Sequence, residues 1–290
     1  MTTEILPAGR LAEILKDIKI QHTVFALPFA IMSAFIAARG WPGGKLVFWI
    51  IMGMVFARSA AMAFNRLVDE KYDKDNPRTK QRALAAGRAF RIDYAIFVIV
   101  NSAGFVFVCW MINELALHLS FLALAIVFFY SYTKRFTASS HFFLGLALAL
   151  APIGAWVAVR EEISLVSITL GAAVVFWLAG LDTIYSCQDA EFDVKRKLYS
   201  LPGRFGVGRA LKMSAMFHTV MAVLLVILGF VARLSWLYVI GVVFTAGMLY
   251  YEHSIVKPDD LSRVNVSFFN ANGIISVGLM LFTIADVILL

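Results

Sequence analysis

Asn65-Arg66-Leu67-Val68-Asp69-Glu70-Lys71-Tyr72-Asp73 is a polar island that follows directly on the apolar run Ala60-Ala61-Met62-Ala63-Phe64. Asn65, Asp69 and Asp73 are spaced four apart, so a helix continuing through the island stacks one amide and two carboxylates on one face. Bunched carboxylates raise each other's pKa unless a cation sits between them. Acidic groups at a membrane boundary are costly unless they are paired or bind an ion. An all-oxygen set suits a hard cation, and Mg2+ typically takes one or two carboxylates together with phosphate oxygens and water. The basic run that follows (Lys74, Arg78, Lys80, Arg82, Arg88, Arg91) suits the anion such a metal would carry. The competing reading is a solvated helix end with ordinary charges.

A second stretch repeats the theme. Asp182, Asp189 and Asp193 fall at i, i+7 and i+11, one face of an uninterrupted helix, with Tyr185 and Gln188 among them and Lys195-Arg196-Lys197 behind. Asp69 and Asp189 are 120 residues apart, as are Asp73 and Asp193, an equal offset that hints at two related halves. Two acidic faces on one side of one protein argue for an ion site more strongly than either alone.

The rest of the chain is lipid-like. Hydrophobic residues make up 61 % of it, charged residues 16 %, and mean hydropathy is +0.80, outside the range of soluble domains. Nine apolar runs are predicted to be spans: roughly 18–38, 46–65, 92–111, 115–132, 141–159, 163–183, 212–232, 235–251 and 266–288. All read as helices, because a chain in lipid must satisfy its backbone internally. The expected class is an all-α, multi-span membrane protein organised as one integral-membrane domain over 1–290. The first run, starting near Ile18 with no signal-peptide pattern before it, is expected to be retained as a span. Pro28 within it predicts a kink. Trp41-Pro42-Gly43-Gly44 predicts a tight turn. Cys109 and Cys187 share no metal or disulfide spacing.

The net charge of +7 does not point to nucleic acid, since the cations cluster in loops between spans. With the N-terminus cytoplasmic, the N-terminal segment and even-numbered loops hold 21 of the 26 Lys and Arg, and the opposite side holds four. That bias predicts both acidic stretches at cytoplasmic span ends; the expected location is the (bacterial inner) cell membrane.

Arg58 lies inside the second span, seven residues before Asn65 and on the same face. An intramembrane charge usually faces a site, and Arg prefers planar carboxylates. The alternative is a structural arginine bonded to backbone carbonyls. Lys134 and Arg135 read as positive-inside charge or as anion ligands, the loop around Lys257 and Arg263 as a lid or a turn, and His22 as a cavity residue or a structural histidine.

Through Asn65-xxx-Asp69-xxx-Asp73 with Arg78-Thr79, through Asp182-Thr183-x-Tyr185-xx-Gln188-Asp189-xxx-Asp193, and through Tyr132-Thr133-Lys134-Arg135 and Ser200-Leu201-Pro202, the chain resembles the UbiA superfamily of intramembrane aromatic prenyltransferases. Arg66 follows Asn65 where many members have Asp. Within the superfamily the chain is most similar to the 4-hydroxybenzoate polyprenyltransferases, and also to enzymes that prenylate a naphthoate in the futalosine route to menaquinone. The resemblance implies nine transmembrane helices around a central cavity. It implies Mg2+ held by Asn65, Asp69, Asp73, Asp189 and Asp193 and bridging to a polyprenyl diphosphate, with Asp69, Asp73, Asp189 and Asp193 central to catalysis. Arg78, Lys80, Lys134, Arg135 and Lys195 would contact the diphosphate, and Arg58, His22 and Tyr185 the aromatic acid. Ubiquinone or menaquinone biosynthesis is the implied setting. The proton lost from the ring would go to a carboxylate such as Asp189 or to a diphosphate oxygen. Competing classes are an ion-coupled transporter, for which polar residues should gather near the bilayer midplane, and a phosphatidyl-alcohol transferase, whose Asp-Gly-xx-Ala-Arg signature is absent.

Overall fold

The computed structural model describes residues 7–18 and 26–290, and the regular elements among them are helical apart from one isolated Lys257–Asp260 bridge. A short helix α1 (Pro7–Asp17) precedes the bundle. The rods follow in chain order: α2 (Leu27–Ala38), α3 (Gly44–Asp75), α4 (Arg91–Ile112), α5 (Glu114–Thr133), α6 (Ser140–Arg160) and α7 (Leu165–Ser186). Two short pieces come next, α8 (Ala190–Lys195) and α9 (Leu201–Phe205). The chain closes with α10 (Val207–Ala232), α11 (Trp236–Ile255), the single turn α12 (Val264–Val266) and α13 (Asn272–Leu289). Counting α7 with α8 and α12 with α13, seven segments are long and apolar enough to cross a bilayer. The shorter α2 and the more polar α11 are the other two rods that the sequence reads as spans, so each of the nine apolar runs carries a helix among the described residues.

One local expectation holds and others change. The first acidic island is helical throughout, because α3 runs on to Asp75. Its 32 residues extend about 48 Å at 1.5 Å per residue, against ~30 Å of hydrocarbon core, so the acidic turns clear the apolar layer. The second island is not one continuous helix. A 3-10 turn at Cys187–Asp189 separates α7 from α8 and resets the helical phase between Asp182 and Asp193. Pro28 occupies the first turn of α2, where a missing N–H removes no helix bond, rather than kinking a helix interior. The proline inside a helix is Pro152 of α6. The predicted turn falls slightly earlier, at Arg39–Gly40, and Trp41–Gly43 are irregular before α3; Gly43 takes φ +88°, which a Cβ would oppose.

The centre of the bundle is α7. Leu170, Trp177, Leu181 and Ile184 are all but completely buried on it. α6 packs so closely that a Cβ on Gly145 would lie 2.5 Å from the carbonyl oxygen of Val175, the small-residue contact by which membrane helices approach. α13 is tied in by polar bonds: Asp286 accepts hydrogen bonds from the backbone N–H groups of Ser235 (2.7 Å) and Tyr238 (3.1 Å), capping the start of α11.

Before α13 the chain makes a π-helical turn, Ser267–Ala271. The fully buried Glu252 of α11 holds it, accepting from Ser267 Oγ (2.7 Å) and Asn272 Nδ2 (2.6 Å). Asn272 in turn accepts from Trp177 Nε1 at 2.7 Å. The wide turn presents Phe268 to the ring of Tyr185, centroids 4.3 Å apart.

Candidate active site

Both acidic islands open onto one cavity of about 670 Å³. Asn65, Asp69 and Asp73 line it from α3; Asp182, Tyr185, Gln188, Asp189 and Asp193 line it from α7, the 3-10 turn and α8. The helix phase lost at the 3-10 turn therefore does not separate the second set. Arg58, Arg78, Lys134 and Arg135 also lie on the wall. Lys80 and Lys195 do not; Lys195 is solvent-exposed beside Glu191. Correcting the sequence reading, the cations that the charge run after the first island and the Lys134-Arg135 pair bring to the wall are Arg78, Arg82, Arg88, Lys134 and Arg135. His22 lies outside the described residues.

Each acid has a specific partner. Arg78 holds Asp189 with two bonds, Nε to Oδ1 at 3.0 Å and Nη2 to Oδ2 at 2.5 Å, and donates to Tyr185 Oη at 3.0 Å. Asn76 adds a bond to the same carboxylate at 3.3 Å. Arg82 reaches both oxygens of Asp73 at 2.7 Å. Arg135 lies 3.7 Å from Asp69 and donates to the Val68 carbonyl, and its guanidinium sits over the rings of Tyr72 and Tyr132. Asn65 donates to Asp69 Oδ2 at 2.9 Å. The buried Asp193 keeps Oδ2 without a hydrogen-bond partner among the described residues.

Burial works against the charge on Arg78, but its bonds to Asp189 and the charge there outweigh it and hold its pKa above the usual guanidinium value. Burial likewise disfavours the charge on Lys134; the carboxylates of Asp182 and Asp193 prevail and raise its pKa. Both cations stay charged at any physiological pH and are available to an anion in the cavity.

Among the described residues no three acidic, histidine or cysteine groups converge closely enough to hold a metal ion by themselves. The carboxylates come as two pairs, Asp69 with Asp73 and Asp189 with Asp193, each pair close enough to interact electrostatically. Such a donor set fits a hard divalent ion that completes its shell with phosphate oxygens and water. The unpartnered Asp193 Oδ2 is the kind of buried group that an ion would satisfy.

Below the acids sits Arg58, about 10 Å deeper than Asn65 at ~1.5 Å per residue. Its Nε is buried, and it makes no hydrogen bond or ion pair among the described residues. The structural alternative, in which it ties spans together through backbone carbonyls, finds no such bond there. Arg58, Met62, Tyr130, Leu144 and Leu148 also line a second, apolar cavity of about 380 Å³ directly beneath. Ala57, Ala61, Ala123, Ala147, Ala151 and Gly154 leave its space unfilled.

Other wall residues escape a sequence reading. Glu13, Lys16 and Asp17 close one side from α1. Asp17 pairs with the buried Arg66 (3.5 Å) and accepts from Tyr94 Oη (2.5 Å), and Glu13 pairs with Arg88 at 2.9 Å. Arg66 therefore serves packing between α1 and α3. His141, fully buried behind Asp182, is the other omission. No motif flags these residues, because their partners are remote in sequence.

An all-helical membrane bundle with paired carboxylates, bound cations and an apolar pocket beneath them is the architecture of an enzyme that handles an anionic head on an apolar tail. The UbiA prenyltransferase family model matches residues 26–274. A 4-hydroxybenzoate octaprenyltransferase of Marinobacter nauticus is 31 % identical over 91 % of this chain and 91 % of its own length. One from Vibrio atlanticus is 28 % identical over 89 % and 92 %. Among solved structures, a UbiA homologue from Aeropyrum pernix superposes with a TM-score of 0.84 at 31 % identity, covering 92 % of this chain and 98 % of that one. A UbiA homologue from Archaeoglobus fulgidus, solved bound to GPP and Mg2+, shares the fold with a TM-score of 0.75 at 19 % identity, over 95 % and 99 %. The chain belongs to the UbiA prenyltransferase family. It is a membrane prenyltransferase.

Proposed function

We propose that the protein transfers a polyprenyl group from a polyprenyl diphosphate to an aromatic acid of the 4-hydroxybenzoate type, using Mg2+, as one integral-membrane domain. The observation that carries this reading is the unpartnered Arg58 beneath a cavity whose upper wall gathers Asp69, Asp73, Asp182, Asp189 and Asp193 with Arg78, Arg82, Lys134 and Arg135. A buried guanidinium without a counter-charge is expensive. An aromatic carboxylate supplies the charge in planar, bidentate form; an uncharged quinol acceptor would not. The relatives named 4-hydroxybenzoate octaprenyltransferases support the same acceptor.

In this reading Asn65, Asp69, Asp73, Asp189 and Asp193 hold the metal. When bound, Mg2+ neutralises charge developing on the departing diphosphate. Arg78, Lys134 and Arg135 contact its oxygens, with Arg82 and Arg88 behind them, and Arg78 and Arg82 exchange carboxylate partners for phosphate ones. The isoprenoid tail lies in the apolar cavity below, lined by alanines and Gly154. Tyr185, with Phe268 against it, offers an aromatic face to the allylic cation. The apolar walls exclude water, which would otherwise capture that cation.

Purified protein incubated with Mg2+, geranyl diphosphate and a panel of aromatic acids should yield a product heavier by one geranyl group with 4-hydroxybenzoate, read by mass spectrometry. Turnover of uncharged phenols alone would overturn the acceptor assignment. A naphthoate tests the menaquinone-type alternative in the same panel.

We further infer that the acidic end faces the cytoplasm, from the 21-to-4 distribution of Lys and Arg. Single cysteines at the exposed Lys74 and Lys195 should resist an impermeant thiol reagent added to intact cells and react after permeabilisation. Labelling in intact cells would invert the orientation.

A further inference from the structure

Asp182 is the aspartate of the two acidic islands that neither the metal nor the diphosphate uses in the reading above. It lies on α7 seven residues before Asp189, about 10 Å along the helix. Its Oδ2 accepts a 2.6 Å hydrogen bond from Nδ1 of His141. His141 is fully buried, and its Nε2 accepts from the backbone N–H of Leu201 at 3.3 Å. A ring nitrogen that accepts carries no proton, so the histidine is neutral with its hydrogen on Nδ1, directed at Asp182. The imidazole thus fixes one carboxylate oxygen and joins α6, α7 and α9. The Asp182 side chain retains 15 % exposure, and it opens on the cavity.

The groups facing Asp182 are His141 from α6, Tyr130 from α5, Lys134 just past its end and Arg78 from the α3–α4 loop, with Tyr185 on its own helix. Tyr130 is an electrostatic neighbour of both Asp182 and Arg58, so the two sites share one wall. An aromatic acid anchored by its carboxylate on Arg58 points its para substituent away from that anchor, up the same wall towards Asp182.

We propose that Asp182 is the base that takes the phenolic proton of the acceptor, and that His141 is its positioning residue. This rests on the reading of the acceptor as a hydroxy-substituted aromatic acid. The Asp182 carboxylate removes the O–H proton, and the electron pair released enters the ring. The ring carbon ortho to the oxygen forms its bond to the allylic carbon as the carbon–oxygen bond to diphosphate breaks, and the diphosphate leaves with that electron pair. The resulting dienone loses its ring hydrogen as a proton to a diphosphate oxygen. The oxygen recovers its proton from Asp182, so the ring is aromatic and the base is restored.

The test is the pH dependence of kcat with 4-hydroxybenzoate and with 3-fluoro-4-hydroxybenzoate, whose phenol is more acidic. Asp182→Asn should lower kcat about 10²- to 10⁴-fold at neutral pH, the range of a lost general base. Activity should return as pH rises towards the phenol's own pKa, and the fluorinated acceptor should regain more of it. The KM for geranyl diphosphate should stay within about twofold, since uniform donor binding is untouched. His141→Gln, which can still donate to Asp182, should retain more activity than His141→Leu, and the leucine variant should show the same pH signature in weaker form. That second pair keeps the test available if asparagine at 182 unfolds the chain. Loss of activity that is equal at all pH values and for both acceptors would make Asp182 a counter-charge for Lys134 and overturn the proposal, as would a wild-type kcat in Asp182→Asn. Absence of any product from hydroxy-substituted acids with the unmutated protein would instead overturn the reading of the function.

Discussion

Asp189→Ala is expected to reduce prenyl transfer by about 10²- to 10³-fold or more, the scale on which a single preorganised transition-state contact acts. The substitution has two consequences at the site. It removes a carboxylate from the Asp189–Asp193 pair, and it releases Arg78 from the two bonds that aim it into the cavity. Arg78 is about a third exposed, so its loss of a partner is screened by solvent and costs little stability. The chain should therefore insert, fold and elute like the parent protein. The measurement is kcat across an Mg2+ titration, with Asp69→Ala in parallel. Near-normal turnover of either variant at saturating Mg2+ would show that the carboxylates are not the metal site.

The second large effect belongs to Arg58. Arg58→Met keeps the length and apolar stem of the side chain and removes only the guanidinium. If that group holds the acceptor's carboxylate, the KM for the aromatic acid should rise by about 30- to 1,000-fold, the equivalent of ~2–4 kcal/mol of charge-assisted bonding. The KM for the prenyl diphosphate should hardly change, because the diphosphate contacts lie among the acids above. Thermal stability should hold or improve, since a buried unpaired charge destabilises the bundle until a ligand neutralises it. The opposite pattern, with both KM values unchanged and a lower Tm, would make Arg58 a structural residue and leave a carboxylate acceptor without its main physical support.

How much of this was legible in the sequence depends on how locally each feature is encoded. The rods were legible because lipid enforces a simple rule, and an apolar run of the right length has one stable backbone solution. The first acidic face was legible because it lies on one unbroken helix, where spacing alone determines direction. The second was legible in membership but not in geometry: nothing between Ser186 and Ala190 announces a 3-10 turn. Facing was the weakest inference. Lys80 sits in the same charge run as Arg78 and Arg82, and only tertiary packing decides which of them meets the cavity. The wall supplied by α1 could not be read at all, because Asp17 and Arg66 are 49 residues apart and neither has a motif around it. His141 was hidden for the same reason: an isolated histidine at a helix start becomes meaningful only once α7 brings Asp182 against it.

The π-helical turn at Ser267–Ala271 makes the last helix a splice of two registers. Each residue advances an α-helix by about 100°, and a π turn accommodates one residue more than an α turn. Asn265 just before the splice, and Phe268 and Phe269 in its first part, face the cavity. Downstream, Thr283 meets Met32 of α2 and Asp286 caps α11. No single α-helical phase serves both sets of contacts, and Glu252 clamps the join. In a chimaera that exchanges the final helix with a relative, the crossover point accordingly matters more than the composition of the grafted piece. A junction placed after Asn272 preserves the clamp and the phase of Phe268, whereas deleting one residue inside the turn swings either the aromatic wall or the α2 and α11 contacts a quarter-turn out of line.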